Sequence, residues 1–116
     1  MREILFRAKT KATKEWAYGH FAKQYDVSQI YADNGHECVY EDTLCQYTGL
    51  TDKNGVKIFE GDIVEYEGKR YSINYLPHYA RFSAVKPNTV FCVFAYQRGE
   101  VIGNIYDNPE LIGRGR

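Results

Sequence analysis

Carboxylate, imidazole and thiolate are the groups that zinc takes as ligands, and the chain brings all three together in Asp33, His36, Glu37, Cys38 and Cys45. On an extended strand His36 and Cys38 share a face, yet a closed site needs at least one more converging group, and this spacing matches no established ligand pair. The cluster therefore reads as a turn with a small buried hydrophobe. Nucleophilic thiol chemistry needs a depressed cysteine pKa and an oriented base, and nothing in the sequence sets Cys45 or Cys92 beside a histidine. The carboxylate pairs Glu41 with Asp42 and Glu60 with Asp62 read as turn and edge polarity, because Glu60-Gly61-Asp62 runs straight into a strand. The glycines form neither a phosphate loop nor a dinucleotide fingerprint. No catalytic residue, metal ligand or cofactor is assigned.

A second chemistry is carried by Lys69, Arg70, Tyr71, Tyr75, His78, Tyr79, Arg81 and Phe82, where basic and aromatic residues interleave. Single-strand binders use this mixture for phosphate contact and base stacking. Arg70, Tyr75, Tyr79 and Arg81 are its candidate surface, for nucleic acid or for another partner. The same alternating tyrosines are what a sheet core requires, and the formal net charge is +0 where a phosphate-binding domain is usually basic. Nucleic acid is thus a possible partner but not the favoured one.

The elements that must position these residues are mostly strands. Glu3 to Ala8, Trp16 to Phe21, Val27 to Tyr31 and Glu37 to Tyr40 are strand-like, with Trp16, Tyr18 and His20 on one side if extended. Asn34-Gly35 between the last two is a strong hairpin signal. Glu41 to Leu44 suits one helical turn, and Asn54-Gly55 marks a second tight turn. Ile63 to Tyr66 and Arg70 to Tyr75 flank Glu67-Gly68-Lys69, which predicts a third hairpin with Tyr71, Ile73 and Tyr75 on its apolar face. Ala80 to Val85, Val90 to Tyr96 and Val101 to Tyr106 complete the set. Asn108, followed by Pro109 and Glu110, has the pattern of an N-cap on a short C-terminal helix, worth roughly 1 kcal/mol.

The predicted fold class is mainly β with minor helical segments: an antiparallel curled sheet or small barrel. At 116 residues, 44% hydrophobic and 26% charged, the expectation is one domain over residues 1–116. The aromatic content of 16% favours strands. No apolar run approaches the ~20 residues of a membrane span, and three cysteines, an odd number, suit reduced thiols in the cytoplasm. Charge is segregated: residues 1–32 sum to +3, residues 33–67 to −7 and residues 68–116 to +4. Opposite patches of this kind favour self-association or a charged protein partner. Exposed ion pairs contribute little each, so aromatic burial must supply most of the affinity in a homo-oligomer.

Three blocks carry a resemblance. They are Arg2 to Ala8, Gln46 to Val64 (QYTGLTDKNGVKIFEGDIV) and Val101 to Leu111 (VIGNIYDNPEL), in that order along the chain. Together they resemble the signature blocks of the YopX family. The resemblance implies a small protein of bacteriophage or prophage origin, a mostly β fold with a barrel-like arrangement, and no catalytic residues to carry over; the region from Pro77 to Arg98 departs from it. Within the blocks Gly49, Gly55, Gly61 and Gly103 serve turns or close backbone approach. Asp52 and Asn54 suit a loop that caps its own backbone, and Asp62 opens a strand. Asn104, inside an apolar strand, must find a partner if buried; the expectation is that it ties the C-terminal strand to the Gln46 to Gly55 loop. The leading functional reading is an accessory protein, not an enzyme, acting by protein association. The alternative is a small β-barrel that binds single-stranded nucleic acid.

Overall fold

The computed structural model describes residues 4–33, 35–76, 81–85 and 98–112. The expected strand from Val90 to Tyr96, together with Tyr79 and Cys92, lies outside them. Two compact units are formed, Met1–Tyr47 and Thr48–Arg116, with the boundary inside a strand.

The first unit is a meander of β1 (Phe6–Lys9), β2 (Trp16–Gln24), β3 (Val27–Ala32) and β4 (Gly35–Cys38), followed by a 3-10 turn at Glu41–Thr43 and then β5 (Cys45–Thr51). Every pairing is antiparallel, in the order β4-β3-β2-β1-β5. The hairpin predicted around Gly35 is present, but Ala32 pairs with Gly35, so this glycine already belongs to the strand.

The long strand β2 changes partner midway: its first residues pair with β1 and residues from His20 onward with β3. Gly19 stands at this junction because a Cβ there would run into the Tyr31 carbonyl. The tails of β1 and β4 then meet, through a Thr10–Val39 bridge and backbone bonds Lys11 N–H to Cys38 O and Tyr40 N–H to Lys9 O, each 2.9 Å. These bonds curl the sheet around a core of Ala8, Ile30 and Val39, with Phe6, Ala17, Phe21 and Leu44 packed on it.

In the second unit β6 (Lys57–Phe59) lies beside β5, and β7 (Asp62–Tyr66), β8 (Lys69–Leu76), β9 (Arg81–Val85) and β10 (Glu100–Asn104) form a sheet in the order β10-β7-β8-β9. A 3-10 turn comes last, at Pro109–Ile112. Tyr66 pairs with Lys69, so the β7–β8 turn is Glu67-Gly68 with φ of 51° and 77°, the left-handed pair that matches strand twist. Tyr71 and Ile73 point inward as their alternation predicts. They join Ile58, Val64 and Ala84 in the core, where each fully buried isoleucine contributes about 1.5 to 3 kcal/mol. The class is mainly β as expected, with one correction: the two antiparallel sheets do not close into a barrel.

Candidate functional site

Of the candidate binding surface, Tyr79 lies outside the described residues, and Arg70 and Tyr75 are not brought together. Arg70 and Tyr75 occupy positions of opposite parity on β8 and so face opposite sides of the sheet. Arg70 is held by its own unit, donating to the Leu111 carbonyl at 3.2 Å and lying 3.8 Å from Glu65. Tyr75 packs edge-on against Phe82 at 5.2 Å between centroids, and Arg81 is registered with Leu76, one position out of phase with Tyr75. Tyr71 and Phe82 from the same basic and aromatic stretch belong to the core or pack on it.

The family blocks form two polar knots instead. Asp52 is 5% exposed. Its Oδ1 accepts from the N–H groups of Asn54 (2.8 Å) and Val56 (2.9 Å), and its Oδ2 from Val101 N–H (2.8 Å). Burial on its own raises this carboxyl, but the donors at Val101, Val56 and Asn54 together outweigh it, and Asp52 sits below the usual carboxylate range. Gly55, at φ 83°, closes the loop by donating to the Asp52 carbonyl, while Gly49, at φ 93°, lies within β5. Asp52, and not Asn104, therefore ties this loop to β10.

Asn104 works locally. Its Oδ1 accepts from Tyr106 and Asp107 N–H groups, and its own N–H donates to Asn108 Oδ1 at 3.2 Å. Asn108 thus caps backward onto β10 instead of forward onto a helix, and the chain beyond it makes only a 3-10 turn. Gly103 is required here, since a Cβ would stand 2.5 Å from Asn108 Oδ1. Gly61, at φ 88°, donates to Ile73 O and accepts from Ile105 N–H; beside it, buried Asp62 accepts from Phe59 N–H at 2.8 Å. The oxygens of these side chains accept from nearby backbone, and Asn104 Nδ2 also donates to Asp107 Oδ2 at 3.2 Å.

The zinc-type residues are also dispersed. Gln29 Nε2 reaches His36 Nδ1 at 3.2 Å and Cys38 Sγ at 3.8 Å on the surface, while buried Cys45 donates to the Thr43 carbonyl. Among the described residues no three such groups converge.

The first unit carries most of the exposed large hydrophobic side chains among the described residues, while Val56, Tyr75 and Tyr106 are exposed in the second. Residues paired across strands share a face. The register His20–Tyr31 and Tyr31–His36 therefore sets three rings in one row across β2, β3 and β4. Tyr31 and His36 stack at 4.9 Å and 26°, and Tyr31 Oη donates to Gln29 Oε1 at 2.8 Å. On the same face β1 presents Arg7 and Lys9, with Lys11 just beyond. The first two lie over the Trp16 ring at 4.4 and 5.3 Å, and Lys11 over Tyr40 at 5.8 Å.

The sequence hints at this face through Trp16, Tyr18 and His20, but nothing in it marks the β2–β3 pairing. The turn there is Tyr25-Asp26, with φ of 52° and 67°, and contains neither Gly nor Asn. At that tip Tyr25 is 91% exposed. A cleft of about 380 Å³ is lined by Ala17, Ile30, Ala32, Gly35 and Glu37 of the inward side of the sheet, together with Tyr18 and His36 of the outward face. Lys23 and Glu41 pair at 3.0 Å on the inward side, with Ser28 donating to the same carboxylate oxygen. The Lys23 ammonium, helped by Ser28, holds Glu41 below its ordinary value, and Glu41 in turn raises Lys23.

Among the described residues no helix is long and apolar enough to cross a membrane. No curated protein matches the chain. A crystal structure of protein EF1440 from Enterococcus faecalis is similar, with a TM-score of 0.58 and 28% identity over 97% of this chain and 99% of that one. The model of the family described as YopX protein matches residues 5–113, a stretch that takes in the Asp52 knot, the Asn104 knot and the outward-facing sheet alike. The chain belongs to the YopX family.

Proposed function

We propose that this protein is a non-enzymatic accessory protein of a phage or prophage, active in the host cytoplasm, and that it works by protein association with a second copy of itself through the Tyr25 tip. Family membership supports the setting. The observation that carries the association is the turn itself. Two consecutive non-glycine residues in the left-handed region cost about 1 kcal/mol or more each, and Asn-Gly would make the same turn at lower cost. What the tip presents in return is a fully displayed tyrosine, a residue type that anchors interfaces. The Ala-lined cleft, floored by Ile30 and rimmed by His36 and Glu37, offers an apolar seat for such a ring and polar groups for its hydroxyl. Tip and cleft lie at opposite ends of β3, so a two-fold pair engages both reciprocally.

Tyr25→Asn separates folding from function, because asparagine is at home at positive φ. Its melting temperature is expected to equal or exceed that of the parent, while sedimentation velocity shows weakened self-association; Ala32→Leu, which fills the cleft, has the same effect. A parent chain that is monomeric at all concentrations, or a Tyr25→Asn variant that assembles normally, overturns the reading.

A further inference from the structure

We infer that the outer face of the β1–β4 sheet binds single-stranded nucleic acid, with the His20–Tyr31–His36 row as its stacking platform. The first ground is charge. Residues 4–47 contain six acids, and none of them stands at a strand position on this face. Glu15 precedes β2, Asp26 and Asp33 are in turns, Glu37 pairs with inward-facing Ile30, and Glu41 and Asp42 are in the 3-10 turn. The bases are distributed in the opposite way, with Arg7, Lys9 and Lys11 at alternate positions along one edge of the face. Indole and phenol rings lie beneath their cationic groups, an arrangement that narrows the conformations of long side chains before any phosphate arrives.

The second ground is the ring row. Adjacent strands are about 4.8 Å apart; Tyr31 and His36 already form a stack at 4.9 Å, which a base can extend, and His20 stands in register beside it. Tyr31, at 41% exposure, and Tyr18, at 47%, remain accessible to a base. Stacking of this kind is tolerant of sequence, since every base has a π face. A duplex hides those faces. The expected ligand is therefore a single strand, held by stacking and by few phosphates. Arg7 is only 6% exposed, which leaves Lys9 and Lys11 as the cations for the backbone. The chain's formal net charge of +0 is compatible with such a ligand because most of the affinity comes from the rings. This face is distinct from the Tyr25 tip and from the basic and aromatic stretch of β8 and β9, and it shares Tyr18 and His36 with the lining of the cleft.

The test uses the full chain and fluorescence anisotropy with a labelled mixed-sequence single-stranded DNA, the same sequence as RNA, and its duplex, at about 50 mM salt. Saturable single-strand binding is expected, with the duplex clearly weaker. Neutralising about two phosphates gives a slope near −1.4 for log affinity against log salt. Tyr31→Ala should weaken binding about tenfold, Tyr31→Phe should retain it, and Lys9→Gln with Lys11→Gln should flatten the salt slope. Tyr75→Ala and Tyr25→Asn should bind as the parent does, the latter even where it no longer self-associates. Absence of saturable binding overturns the inference. So does equal affinity for duplex and single strand, or indifference to Tyr31→Ala. A Tyr31→Ala chain that loses self-association while no oligonucleotide binds the parent makes this a protein surface instead, and likewise overturns it.

Discussion

In Met1–Tyr47 Trp16, Tyr18, His20 and Tyr31 of β2 and β3 share one outward face, and only Phe21 of their aromatic side chains packs on the core. In Thr48–Arg116 Tyr71 and Phe82 go inward or against the core, and Asp52, Asp62 and Asn104 are spent on neighbouring backbone. A buried polar side chain engaged by several N–H groups has little capacity left for a ligand, because any new partner must displace bonds made in a low-dielectric setting. Rings standing on an open sheet face carry no such obligation. The two regions teach that the residues most distinctive of the family in sequence need not be those that meet a partner.

That contrast makes the Asp52 knot a sensitive place in the molecule. Asp52→Ala strips acceptors from three N–H groups at once and is expected to cost roughly 3 to 5 kcal/mol in urea denaturation. Asp52→Asn keeps one acceptor and should cost less. A loss below 1 kcal/mol would blur the distinction between the regions. The pH dependence of the knot has a definite sign. The folded carboxyl lies below its ordinary value, so its contribution is complete above the ordinary carboxylate range and is lost as pH falls through the folded value. Asp52→Asn should therefore flatten the acid limb of the stability curve relative to the parent.

The Asn104 knot is next in size. Gly103→Ala forces a Cβ against Asn108 and should cost roughly 1 to 3 kcal/mol. In a double-mutant cycle Asn108→Ala, itself costing about 1 kcal/mol, should relieve part of that clash. Strict additivity would show that the two residues do not meet. At the small end, Tyr31→Ala on the outward face should shift stability by no more than about 0.5 kcal/mol while changing what the protein binds. A larger loss of stability would assign that ring to the fold.

Legibility in the sequence divides along the same line. Glu67-Gly68 and Asp33-Asn34-Gly35 announce their hairpins because glycine and asparagine are the residues that accept positive φ. Tyr25-Asp26 makes no such announcement, so the β2–β3 register, and with it the ring row, stays hidden although the alternation of Trp16, Tyr18 and His20 is plain. The local half of the Asp52 cap is readable from Asp52 and Gly55. Its longer bond, to Val101 across 49 positions, is not, since sequence carries no spacing rule for such a contact. Asn108 misleads for a related reason: an amide can cap in either direction, and the close approach allowed by Gly103 decides which.

The reach from Asp52 to Val101 also sets an order of events in time. The β2–β3 and β3–β4 turns close over two residues each, and short loops of that kind form in microseconds. The bond to Val101 spans 49 positions, and β10 must also find β7 to pair Asn104 with Asp62. Closing such loops loses more chain entropy before any contact repays it. During synthesis the meander can be complete while Asp52 still lacks its last donor. Until β10 has left the ribosome, the loop from Asp52 to Val56 is held by its local bonds alone and the β7 edge stands without its β10 partner.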